Sequence, residues 1–150
     1  MINTHKELIS EIKNFADKFE FIKDFKYVKD VERLTDEVLN SEPRVFILGL
    51  ESADFDDEGY NLNLSYRFAF TDQVIYNDDA ILNAETENLF CISALGDYLN
   101  YIADTPIKID SVSANVESDE ETTYCSASGT FTFTIKRNAS YWKKMEAYSV

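Results

Sequence analysis

A strict alternation of apolar and polar residues in two stretches restricts the fold of this chain more than any other feature. From residue 60 to 70, every second side chain is apolar: Tyr60, Leu62, Leu64, Tyr66, Phe68 and Phe70. In the second stretch, residues 125–135, the predicted inward residues are Cys125, Ala127, Phe131, Phe133 and Ile135, and Ser and Thr stand between them. A period of two is typical of a β-strand with one buried and one solvated face. Both stretches therefore predict strands of an antiparallel sheet.

Two other stretches carry the helical period. Thr4 and Glu7 form a T-x-x-E capping box before a stripe of apolar residues spaced three and four apart, which predicts an amphipathic helix over residues 4–20. A second helix is predicted to begin near Asn83 or Thr86, where either side chain can cap it, and to end before Pro106. Its core stripe is Ile92, Leu95, Leu99 and Ile102.

The remaining segments complete the order of elements. The run Val45–Leu48 predicts a strand covered on both faces, and Phe25, Tyr27 and Val31 favour a short strand or an extended segment. One or two helical turns are predicted between residues 31 and 39. Between residues 107 and 116 the apolar residues change parity, so a β-bulge is expected near Asp110 or Ser111. The order helix, hairpin, helix, hairpin predicts an α+β fold, an antiparallel sheet of about four main strands with two helices packed on one face.

The length of the chain indicates one domain. With 150 residues, the chain falls within the usual size of a single domain, and its two Pro and four Gly leave no room for a long linker. We assign residues 1–137 to a single α+β domain and residues 138–150 to a C-terminal extension.

The stretch DFDDEG, residues 54–59, raises the question of a metal site. Asp54, Asp56 and Glu58 alternate before Gly59, as in the first half of an EF-hand loop. The twelfth position, where an EF-hand needs a bidentate Glu, is Ser65, and both flanks read as strands rather than helices. The sequence therefore predicts an acidic turn between two strands, with no metal site and no cofactor.

Catalytic patterns are weak in this sequence. His5 is the only histidine, placed in the first turn of a predicted surface helix, and no packed triad can be built around it. Cys91 and Cys125 form no CxxC motif and have no histidine partner, so they are expected to pack as small hydrophobic residues. We predict that the chain is not an enzyme.

The charge is distributed unevenly along the chain. The net charge is −14, yet residues 34–135 hold three basic residues against twenty acidic ones, while residues 136–150 hold four basic and one acidic. An acidic body of this kind repels a phosphate backbone. The basic end, KRNASYWKK, either meets the acidic body of a neighbouring copy or is a short solvated extension. The abundant aromatic residues either fill a generous core or mark protein interfaces.

Four stretches of the sequence resemble virion tail and neck proteins of tailed bacteriophages. They are PRVFILGL, TDQVIYNDD, ETENLFCISALGDYLNYI and CSASGTFTFTIK, and the most distinctive part is the T-D, acidic loop and E-x-x-N order over residues 71–88. The resemblance covers residues 4–137. Its architecture is similar to tail-terminator-like proteins, and it is closest to ring-forming tail proteins of crAss-like short-tailed phages.

This resemblance implies a structural protein of the virion tail or neck. Such a protein is made in the host cytoplasm and forms a homo-oligomeric ring that builds or terminates the DNA-conducting tube, without a membrane or a cofactor. Its partners are other copies and other tail, portal or neck proteins, and DNA passes through the lumen without specific binding. The expected subunit-interface residues are Asp54, Phe55, Asp56, Asp57, Tyr141, Trp142, Lys143 and Lys144.

Two other functions stay open at the level of sequence. The acidic surface also fits a cytoplasmic adaptor or an inhibitor that mimics DNA. A small enzyme with a carboxylate or metal site is the third class.

Overall fold

The computed structural model of the chain describes residues 2–29, 43–59, 61–118 and 122–136. Within these ranges there are two helices, α1 (His5–Lys18) and α2 (Asp78–Ile102). The strands are β1 (Asp24–Tyr27), β2 (Val45–Phe55), β3 (Asn61–Val74), β4 (Ile109–Ser118) and β5 (Thr123–Lys136).

The five strands form one sheet in the order β1-β2-β3-β5-β4. β1 runs parallel to β2, whereas the other neighbours are antiparallel, and β3 and β5 pair along their whole lengths from Asn61↔Lys136 to Val74↔Thr123. Both helices pack on the same face of this sheet. The predicted α+β class is confirmed, with a fifth strand that comes from the four-residue β1.

The alternation of apolar and polar residues assigns the two faces of the sheet as predicted. Leu64, Tyr66, Phe68 and Phe70 of β3 and Ala127, Phe131, Phe133 and Ile135 of β5 are buried under the helices. The opposite face of β3, β5 and β4 carries hydroxyl pairs. They include Ser65 with Thr132, Thr71 with Ser126 and Ser113 with Ser128, at oxygen–oxygen distances of 2.9 to 3.0 Å.

Helix α1 begins where the capping box predicts. Thr4 Oγ1 accepts a hydrogen bond from Glu7 N at 3.1 Å, and Glu7 Oε2 accepts one from Asn3 N at 3.0 Å. Free amides at the helix start are therefore satisfied by side chains. Leu8, Ile12 and Ala16 then face the sheet.

The predicted start of α2 near Asn83 or Thr86 is wrong. The helix begins at Asp78, because Asn77 Oδ1 accepts hydrogen bonds from Asp79 N at 2.9 Å and Ala80 N at 3.2 Å. Asp78 and Asp79 also lie at the positive end of the helix dipole, which favours carboxylates there. The acidic residues that indicated an irregular loop are instead the first turn of the helix.

The expected β-bulge lies in β4. The register between β4 and β5 shifts between Asp110 and Ser113, and Ser111 has a φ of 56°. Gly129 of β5 faces this region, where a Cβ would come within 2.9 Å of Phe68 Cζ and 3.2 Å of Asp110 O. Glycine is therefore needed at this position for the close approach of Phe68 and the bulged strand.

Some predictions fall on residues outside the described ranges. These are the inward orientation of Tyr60, the helical turns between residues 31 and 39, the contribution of Val31 to the short strand, and the extension 138–150.

The two faces of β5 predict unequal effects of neighbouring substitutions. Phe131 is buried, so Phe131→Ala should lower the free energy of unfolding by about 3 to 5 kcal/mol. Thr132 is exposed on the other face, and Thr132→Ala serves as the matched control, with an expected loss below about 1 kcal/mol. Urea denaturation measures both, and equal losses would contradict the assignment of the faces.

Candidate functional site

The acidic stretch 54–59 lies at the tip of the β2–β3 hairpin. Asp54 and Phe55 end β2 with exposed side chains, and Asp56 and Asp57 begin the turn. Gly59 N donates to Asp56 O at 2.9 Å, and the φ of Gly59 is +71°. The four predicted interface residues of this stretch are therefore neighbours at one end of the sheet. The other four, Tyr141, Trp142, Lys143 and Lys144, lie outside the described residues.

One carboxylate of this hairpin, that of Asp56, stabilises the turn. Asp56 Oδ2 accepts a hydrogen bond from Asn61 Nδ2 at 2.7 Å, which joins the two sides of the loop. Within the described ranges, no three His, Cys, Asp or Glu side chains come together as a metal site. The hairpin that the sequence predicts is present, and the prediction that it does not bind calcium remains a prediction.

A buried arginine forms the most connected polar cluster in the described part of the chain. Arg44, 4% exposed, donates from Nη2 to Asp72 Oδ2 at 2.9 Å and to Glu87 Oε2 at 2.8 Å, and from Nε to Asn88 Oδ1 at 2.6 Å. Asn88 Nδ2 in turn donates to Cys125 O at 2.8 Å. The cluster thus joins the start of β2, the end of β3, α2 and β5. We therefore expect these contacts to stabilise the packing of α2 on the sheet.

Removal of this arginine should destabilise the fold. Arg44→Ala leaves Asp72 and Glu87 without their shared cation, so we expect a loss of about 3 kcal/mol in the free energy of unfolding. The control is Arg67→Ala, because Arg67 pairs with Glu51 at 3.0 Å where both side chains are well exposed. Its expected cost is below about 1 kcal/mol. Urea denaturation compares the two, and a small loss for Arg44→Ala would contradict a structural role of the cluster.

The single histidine lies in a second polar cluster. His5 Nδ1 is 2.6 Å from Tyr66 Oη, and His5 Nε2 is 3.1 Å from Tyr27 Oη. The His5 and Tyr66 rings stack with centroids 5.6 Å apart. Burial, and next the neighbouring Tyr27, raise the pKa of Tyr66 well above its usual value, so its hydroxyl stays protonated near neutral pH. The contacts hold α1 against β1 and β3. No local sequence pattern indicates them, because the partners are 22 and 61 residues away.

This cluster predicts a pH dependence of stability. Partial burial lowers the pKa of His5, so the unfolded chain binds a proton more readily than the folded one. The stability linked to His5 is therefore complete above the unfolded pKa of about 6.5 and is lost as the pH falls below it. Urea midpoints at about pH 7.5 and about pH 5.5 should differ more for the parent chain than for His5→Gln. An equal difference in both proteins would exclude His5 as the cause.

The two cysteines behave as the sequence predicts. Both are buried and free. Burial raises the pKa of Cys91 to about 11, and burial followed by the charges of Glu85 and Asp72 raises the pKa of Cys125. Thiols of this kind are poor nucleophiles, because the thiolate is the reactive species.

A group of exposed apolar side chains lies where α2 passes the edge strand β4. A Cβ on Gly96 would lie 3.3 Å from Ile109 Cδ1, so this side of α2 faces β4. Leu89 and Leu82 are seven and fourteen residues before Gly96 and therefore lie on the same side of the helix. Leu89 is 47% exposed and Leu82 is 61% exposed.

Strand β4 supplies the other half of this region. Val116 pairs with Cys125, whose carbonyl oxygen receives the Asn88 hydrogen bond, so Leu89 is close to the level of Val116 along the sheet. Val112 and Val116 are 49% and 43% exposed, and within the described sheet β5 is the only neighbour of β4. We call this region, with Leu82, Glu85, Leu89, Val112 and Val116, the α2–β4 surface. Sequence analysis missed it, since alternation identifies an apolar face but not whether a helix covers it.

No helix in the described ranges has the length and apolarity that a membrane span requires. In comparisons with known proteins, no family model matches the chain and no curated protein shows significant sequence similarity to it.

Proposed function

We propose that this chain is a structural virion protein that forms a homo-oligomeric ring in the tail or neck of a bacteriophage and builds or terminates the DNA-conducting tube. The observation that carries the proposal is the α2–β4 surface, where a ten-residue edge strand and the adjacent helix expose apolar side chains. An exposed apolar region beside an open sheet edge is typical of a protein that associates through that edge. The resemblance to tail and neck proteins supplies the biological setting.

Ring formation requires two different surfaces on each copy. A head-to-tail contact repeats around a closed ring when one surface of a copy fits another surface of the next. The acidic body and the basic residues 136–150 provide opposite charges for such a contact. The hairpin tip, with Asp54, Phe55, Asp56 and Asp57, is a second projecting element that can meet a neighbouring copy or another tail, portal or neck protein.

The face of β3, β4 and β5 opposite the helices suits a channel that DNA crosses without specific binding. It is rich in serine and threonine, and its one arginine among the described residues, Arg67, is paired with Glu51. Binding of a DNA duplex depends mainly on cations that neutralise its phosphates, and this face offers few. Because neutral hydroxyl groups on an acidic protein attract phosphates only weakly, a DNA duplex can slide past this face.

The acidic adaptor or DNA mimic is the second candidate, and the net charge of −14 favours it. A DNA mimic acts as a free protein in the cytoplasm, whereas a ring protein is incorporated into particles. The two functions therefore differ in where the chain is found and in what it binds.

The proposal predicts that the chain is a component of purified virions. Mass spectrometry of particles from cells that produce the phage should find the chain in amounts comparable to other tail proteins. Electron microscopy of the recombinant chain at high concentration, or together with the adjacent tail proteins, should show rings. A chain that is present only in the soluble lysate, and that binds a DNA-binding protein there, would instead support the adaptor or DNA mimic.

A further inference from the structure

We propose that the α2–β4 surface of one copy binds the C-terminal segment 137–150 of a second copy. Tyr141 and Trp142 of that segment would pack against Leu89 and Val116, and Lys143 or Lys144 would meet Glu85. The proposal rests on the self-association in the proposed function and assigns its binding surface.

The chemistry of the surface defines its ligand. Leu82 and Leu89 are three residues before and four residues after Glu85, so the carboxylate lies between two leucines on one side of α2. Across from them, β4 offers Val112, Val116 and the backbone groups of its outer edge. A segment with large apolar side chains, positive charge and a free backbone matches all three features by adding a strand to the edge.

Few segments of this chain have that composition. The three basic residues between positions 34 and 135 already have acidic partners: Arg44 is buried with Asp72 and Glu87, Arg67 pairs with Glu51, and Lys108 lies 3.4 Å from Asp110. Residues 1–33 carry equal numbers of basic and acidic residues. The segment 137–150 has three basic residues, one acidic residue and four large apolar or aromatic side chains, namely Tyr141, Trp142, Met145 and Tyr148. It is therefore the best electrostatic match to the surface.

The length of the chain keeps Tyr141 and Trp142 away from Val116 of their own copy. Val116 lies opposite Cys125, eleven residues before Lys136, which is about 37 Å along the sheet. Trp142 follows Lys136 by six residues and can reach at most about 21 Å from it. The aromatic pair therefore cannot cover Val116 of its own copy. The surface of another copy has no such restriction.

A labelled peptide tests this contact on the intact protein. A fluorescent peptide of residues 137–150 should bind the full-length chain saturably in an anisotropy titration at concentrations where sedimentation shows a monomer. Val116→Glu and Leu89→Glu should each weaken this binding by about tenfold or more, because each removes an apolar contact near the centre of the surface. A peptide with Tyr141→Ser and Trp142→Ser should lose binding to the parent chain. Hydrogen exchange of the parent chain should show slower exchange of β4 amides when the peptide is bound.

The matched control is Tyr101→Glu, which adds the same negative charge at an exposed aromatic residue near the C-terminal end of α2, twelve residues beyond Leu89 and on the side of the helix next to α1. It should bind the peptide as the parent chain does, so that charge alone cannot explain a loss. Circular dichroism verifies the fold of each variant. Val116 and Leu89 lie on different elements, so if one variant fails to fold, the other still tests the contact. Absence of saturable binding, or equal binding by the parent chain and both surface variants, would overturn the inference.

The outcome separates this inference from the proposed function. Peptide binding as predicted, with a chain that is absent from virions, would support the contact and contradict the virion role. A ring in virions, with no peptide binding to the α2–β4 surface, would contradict the contact and leave the virion role supported.

Discussion

The arrangement of the sheet and α2 depends on the ion pairs of the buried Arg44. A cation that is removed from water is strongly unfavourable unless acidic groups surround it. Here those groups are Asp72 at the end of β3 and Glu87 in the third turn of α2, and Asn88 extends the contacts to β5. Arg44 directly precedes β2, and its side chain lies on the same side of the sheet as Phe46 and Leu48, where α2 packs. The cluster therefore fixes where α2 crosses the sheet, directly beside the aromatic core.

The sequence predicted the parts of the fold that depend on local patterns. Alternation identified both faces of β3 and β5, the capping box located the start of α1, and a change of apolar parity located the bulge at Ser111. Local patterns failed where one composition suits two structures. Aspartate is common both in loops and in the first turn of a helix, so Asp78 and Asp79 did not reveal that Asn77 caps α2. Phe25 and Tyr27, by contrast, do lie in a short strand as predicted, the four-residue β1.

The candidate sites show the same division between local and distant information. The hairpin tip was predictable because its residues are consecutive in the chain. The Arg44 cluster joins residues 28 to 44 positions apart, and the His5 cluster joins residues 22 and 61 positions apart, so no local spacing reveals either. The α2–β4 surface depends on a third kind of information, which is how far a helix extends over a sheet. Ile109 lies under Gly96, whereas Val112 and Val116 lie beyond the cover of α2.

An open sheet edge with apolar neighbours carries a risk of indiscriminate pairing, and the charge of this protein limits that risk. Asp110 and Glu117 lie on β4 itself, and the bulge at Ser111 distorts its outer edge, both of which oppose pairing of two β4 strands. Two antiparallel β4 strands centred on residues 113 and 114 would place Asp110 opposite Glu117, where like charges repel. The same acidic residues attract a basic segment. The acidic surface thus disfavours the self-pairing that an exposed strand invites and favours a partner with positive charge, so that selectivity comes from electrostatics and affinity from the apolar contacts.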